Sequence, residues 1–153
     1  MTYTDLLSED SVILDLQADS REQALQALAE RLERQDPALA GRAAEIRDAL
    51  LEREARGSTG QQEVGLPHVR LPGASRVSIA VAIHREGLDF GALDGEPVKV
   101  FFSVVRPAEG DDDHLAVLRW IAQIASHEHF VRFATQAESA AQVIELLSEL
   151  SAA

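Results

Sequence analysis

The chain has 153 residues, 46% of them apolar, which is enough for one domain with a core and too few for two of ordinary size. Its 26 acidic and 14 basic residues leave a net charge of -12, which argues against nucleic acid as a partner and either favours encounter with a basic protein surface or simply keeps the protein soluble. Without cysteine there are no disulfides, thiolate nucleophiles or Cys-ligated metals; with no apolar run of about 20 residues and no basic, apolar leader, a soluble cytoplasmic protein is expected.

The run SVILDL (11–16) reads as a first strand. In DSREQALQALAERLERQDP, Leu25, Leu28 and Leu32 recur at helical spacing, Ser20 suits an N-cap and Pro37 stops the segment. ALAGRAAEIRDALLEREARG predicts a second helix that gathers Ile46, Leu50 and Leu51 on one side and ends at Gly57. The period then changes. EVGLPH, SRVSIAVAIH and VKVFFSVVRP are Val-, Ile- and Phe-rich runs of strand length, divided by Gly, Pro and Asp clusters, and REGLDFGALDGEP reads as a connecting loop. A helical stripe of Leu115, Leu118, Ile121 and Ala125 follows Asp111, Asp112 and Asp113, acids suited to a helix N-terminus. HEHFVRFATQ and ESAAQVIELLSEL predict a short helix and a final one. The resulting order, β-α-α-β-β-β-α-α-α, predicts an α/β fold with a central sheet covered by helices.

No phosphate-binding glycine loop, GxGxxG or GxSxG occurs, so reactive candidates reduce to five histidines. His68 in GSTGQQEVGLPHVRLPG follows Pro67, which lacks an N–H and pushes Leu66 toward extended backbone. The ring is thereby presented where a strand ends, either as an ordinary partly buried histidine or as a nucleophile whose second nitrogen is tied to a carbonyl. His114 occupies the first turn of the helix after the aspartates, where backbone N–H groups suit an anion, or where a histidine is simply solvated. His127 and His129 are two apart and make a poor chelating pair, so no metal is expected, and His84 reads as a surface or edge residue. Arg53, Arg56 and Arg70 flank the PH segment and are candidate phosphate ligands.

Three motifs in this order, LLEREARGSTGQQEVGLPHVRLPG, EGLDFGALDGEPVKVFFSVVRP and DDDHLAVLRWIAQI, resemble the enzyme IIA domain of the fructose-mannitol type in the phosphoenolpyruvate-dependent phosphotransferase system. The look is nearest its stand-alone nitrogen-regulatory branch, and the resemblance spans residues 1–153 as a single domain. It implies a mixed β-sheet flanked by helices on both faces. It also implies a phosphocarrier that accepts a phosphoryl group on His68 from HPr or its nitrogen-branch counterpart, then passes it on or signals with it, with a separate enzyme IIB or a regulatory target downstream. His114 would support the phosphorylated ring, Arg53 would lie near the phosphoryl group, and Ser58 and Thr59 would line the same pocket. No cofactor is implied. The family places glycine directly after the histidine where this chain has Val69, which predicts a more extended backbone there. The other reading is a regulatory binding module that keeps the fold without transferring phosphate.

Overall fold

The computed structural model describes residues 3–109 and 113–151, with the side chains of Asp113 and His114 excepted. Five strands, β1 (Val12–Ile13), β2 (Val64–Gly65), β3 (His68–Leu71), β4 (Ser78–Leu88) and β5 (Val98–Pro107), form one mixed sheet. Five helices cover it: α1 (Arg21–Glu33), α2 (Ala43–Ala55), α3 (Asp113–Ala125), α4 (Phe130–Gln136) and α5 (Ala140–Ser151). The strand order is β1-β4-β5, with β2 and β3 both alongside β5; β4 and β5 run antiparallel and the other pairs are parallel.

Both faces of the sheet are buried, which is why β4 and β5 read as nearly unbroken apolar runs and not as alternating ones. Ala80, Ala82, Phe101 and Val105 pack with Leu25, Leu28, Leu32, Ile46 and Leu50 of α1 and α2. Ile79, Val81, Ile83, Val100, Phe102 and Val104 pack with Trp120, Ile121 and Ile124 of α3 and with Phe130, Val143 and Leu147 from α4 and α5. The alanines on the first face leave room for α1 to lie close to the sheet, while β-branched residues and Phe fill the second.

Several boundaries differ from the sequence reading. Helix α1 starts where expected, with the Ser20 hydroxyl accepting from the Gln23 N–H. Helix α2 begins only at Ala43, because Asp36 caps a separate 3-10 turn over Pro37–Leu39 and Gly41 then takes a positive φ of 78°. Strand β4 runs on to Leu88, into the segment expected to be loop, through an irregularity between Ile83 and Leu88. Gly87 permits this: φ is +89°, and a Cβ there would lie 2.8 Å from Pro97 Cβ. The segment expected as one strand, EVGLPH, becomes two.

That division positions the site. β2 and β3 pair with β5 in a single register, Gly65 opposite Phe101 and His68 opposite Val104, so they are one edge strand interrupted at Leu66 and Pro67. Proline cannot donate to the ladder and is tolerated at an edge. Its carbonyl is still used, accepting from the Ser103 hydroxyl at 2.9 Å and the Val104 N–H at 3.2 Å. After the break the chain is extended again, and Val69 pairs with Val105 in β3, in keeping with the extended backbone expected of a valine at that position.

Candidate functional site

The interruption frees Leu66 from the β5 ladder, and both of its backbone groups are taken up locally. Its N–H donates to Thr59 Oγ1 at 3.0 Å, and the Thr59 hydroxyl donates to Glu54 Oε1 at 2.8 Å. Glu54, at the end of α2, is only 3% exposed and also accepts from the Thr59 N–H at 3.2 Å. Burial pushes its carboxyl above the usual carboxylate range, partly offset by the Thr59 hydrogen bonds and the charges of Arg53 and Arg21. The Leu66 carbonyl in turn lies 2.6 Å from His68 Nδ1. A carbonyl only accepts, so the proton is on Nδ1 and the lone pair of the neutral ring is on Nε2.

His68 is half-buried at the start of β3. Burial holds its pKa below the ordinary imidazole value; the Leu66 hydrogen bond works in the opposite direction, and the positive charges of Arg53 and Arg106 lower it further. The ring is therefore kept as the free base, the form that can act as a nucleophile.

His68 opens on a cleft of about 320 Å³ whose lining includes Arg53, Arg56, Arg70, Arg106 and one carboxylate, Glu52. Glu52 is held by Arg56 at 2.8 Å. Arg53, on the last turn of α2, donates from Nη1 to the Gly57 carbonyl at 2.9 Å. Arg106 faces Arg70 across the β3–β5 pair and is 7% exposed. Its Nε and Nη1 are buried with no hydrogen-bond partner among the described residues. A neutral imidazole beside guanidinium groups can attack an electrophilic phosphorus while the cations hold the phosphoryl oxygens.

Of the sequence-predicted site residues, His68 and Arg53 share this cleft, as do the flanking Arg56 and Arg70. Ser58 and Thr59 do not line it. The Thr59 hydroxyl proton is committed to Glu54, and the Ser58 hydroxyl accepts from the Gly60 N–H at 3.0 Å, so both brace the loop in front of Pro67. His114 is the second residue of α3, and its side chain lies outside the described residues, as do Asp111 and Asp112. His84 is not a simple surface residue: its Nε2 is 2.9 Å from the Ala18 carbonyl and its Nδ1 is buried. Glu54 and Arg106 were missed. Glu54 is hidden among alternating charges in LLEREARG, but a lone arginine inside the run VKVFFSVVRP was a signal that a charge is buried there.

Residues 5–150 match the family described as "Phosphoenolpyruvate-dependent sugar phosphotransferase system, EIIA 2". The "PTS system fructose-specific EIIA component" of Haloferax volcanii is 38% identical over 104 residues, covering 67% of this chain and 68% of its own. A "Nitrogen regulatory protein" of Pseudomonas aeruginosa is 31% identical over 144 residues, covering 91% and 92%. Among solved structures, the crystal structure of the nitrogen regulatory protein IIA-Ntr from Neisseria meningitidis superposes with a TM-score of 0.86 at 29% identity, covering 94% of this chain and 97% of that one.

Proposed function

Because the chain belongs to the EIIA 2 family of the phosphoenolpyruvate-dependent sugar phosphotransferase system, we propose that it is a single type-2 IIA domain whose His68 accepts a phosphoryl group from an HPr-like phosphohistidine donor. The observation that carries this reading is the Nδ1 contact with the Leu66 carbonyl, which leaves the Nε2 lone pair beside an arginine-lined cleft.

In the transfer, Nε2 of His68 attacks the donor's phosphorus in line with the departing nitrogen. The new N–P bond forms as the donor's N–P bond breaks, and the bonding pair returns to the donor imidazole. The positive charge that His68 gains is shared through its Nδ1–H with the Leu66 carbonyl. Arg53 neutralises charge on the phosphoryl oxygens. Thr59 acts at one remove: with Glu54 it fixes Leu66, and through Leu66 the ring. His114 is assigned a supporting hydrogen bond on the family resemblance alone. The phosphoryl group then passes to a separate IIB protein or serves as a regulatory signal, the latter supported by the likeness to nitrogen regulatory proteins.

Incubation with phosphoenolpyruvate, enzyme I and HPr should add about one acid-labile phosphoryl group per chain. His68→Ala should abolish it. Absence of transfer from every HPr-like donor tried would sink the phosphocarrier reading in favour of a regulatory module with the same fold.

A further inference from the structure

Among the described residues, Arg106 is a charge without a counter-charge. The residue is only 7% exposed at the sheet end beside His68, two of its three guanidinium nitrogens are buried without a partner among the described residues, and its cross-strand neighbour on β3 is another arginine, Arg70. The one carboxylate of the cleft lining among the described residues, Glu52, is already engaged by Arg56. A buried ion left unpaired costs several kcal/mol, and like charges opposite one another on neighbouring strands add to that cost. Such an arrangement is stable only to the extent that the rest of the fold holds it, and it is relieved when an anion enters the cleft.

We propose that Arg106 is an anion-binding residue of the cleft, whose guanidinium fork takes two oxygens of a tetrahedral oxyanion: free phosphate in the resting protein and the phosphoryl group on His68 in the charged one. The second ligand rests on the phosphocarrier reading; the first does not. Arginine suits this position because its planar donors match two phosphate oxygens at once, which a lysine cannot do. Among the described residues the resting cleft offers Arg106 no free anion, and gaining a phosphate would supply one.

The test uses the full chain and inorganic phosphate, titrated by calorimetry and by thermal melting. The unmodified protein should bind phosphate, and Arg106→Gln should weaken that binding at least tenfold. Arg106→Lys should fall between. Arg132→Gln, which removes one positive charge on α4 outside the cleft, should change it less than twofold. Without phosphate, Arg106→Gln should melt at or above the temperature of the unmodified protein, because an uncompensated charge has gone. Phosphate affinity within twofold of the original in Arg106→Gln, or a lowered melting temperature with binding intact, overturns the proposal and leaves Arg106 a structural cation. In protein phosphorylated on His68, Arg106→Gln should shorten the lifetime of the phosphohistidine or slow its formation. Phosphate binding that depends on Arg106 in a chain no donor can phosphorylate would leave this inference standing and the phosphocarrier reading overturned.

Discussion

At His68 one short contact decides which nitrogen carries the lone pair. With Nδ1 tied to the Leu66 carbonyl at 2.6 Å, the lone pair is on Nε2, the nitrogen that would take the phosphoryl group in the proposed transfer, and the depressed pKa keeps it unprotonated. The sign of the linkage follows: below about 6.5 the unfolded chain takes up a proton at this position that the folded chain resists. The stabilising contribution is complete above that pH and is lost as pH falls toward the folded value. An NMR titration of the ring should find a midpoint below the ordinary 6.5, and His68→Gln should flatten the dependence of unfolding free energy on pH in that window. Thr59 is the second residue with a sharp expectation. Thr59→Val strands the Leu66 N–H and leaves the Glu54 carboxyl with only the backbone N–H of residue 59, which should cost about 1–3 kcal/mol in denaturant unfolding. It should also slow phosphoryl acceptance roughly tenfold by loosening the ring. A normal transfer rate in a destabilised Thr59→Val would show that the threonine holds the loop without placing the nucleophile.

Among the elements, the interrupted edge strand and the strand it leans on do most to build the site. β5 carries Arg106 and the Ser103 hydroxyl that holds Pro67, and Phe101 supports β2 from the α1–α2 face. Phe101 is fully buried and meets Phe90 edge-on at 5.0 Å. Phe101→Ala should therefore cost about 3–5 kcal/mol, read as a lower denaturant midpoint at unchanged slope. A second anchor joins the helical corner to the start of β4. Asp36 is buried and takes hydrogen bonds from the Ser75 N–H and hydroxyl and from the Ala38 N–H. Burial pushes its carboxyl up, but the Ser75 and Ala38 bonds more than offset this and hold it below the usual range. A depressed carboxylate stabilises above its unfolded pKa of about 3.9 and loses that contribution as pH falls through the folded value. Asp36→Asn should cost about 1–3 kcal/mol at neutral pH and remove part of the acid sensitivity below pH 4.

For the whole molecule, charge is distributed unevenly: a net -12 overall, yet a cleft whose lining, among the described residues, holds four arginines to one glutamate. The long-range field favours a basic partner, and the local one favours an anion, the combination the proposed phosphoryl donor would bring. Transfer from HPr should accordingly slow as ionic strength rises past about 0.1 M, where the screening length drops to about 10 Å. A stopped-flow rate independent of salt would show that the acidic surface contributes nothing to encounter. Among the described residues no helix is long and apolar enough to cross a membrane. The helices, the long strands and the position of His68 after Pro67 were legible in the chain because each depends on local rules: apolar period, N-capping by Ser20, the fixed geometry of proline. The family resemblance was legible too, since its motifs are contiguous. Three things were not. The burial of Arg106, the diversion of Thr59 from phosphate to Glu54, and the joining of β2 and β3 into one broken edge strand all depend on what β5 and α2 bring alongside. Sequence by itself determined most of the elements and singled out His68 as a candidate, because backbone preference and periodicity act over a few residues. Only the tertiary structure decided the tautomer of that histidine and the charge around it, because hydrogen-bond partners and desolvation come from residues distant along the chain.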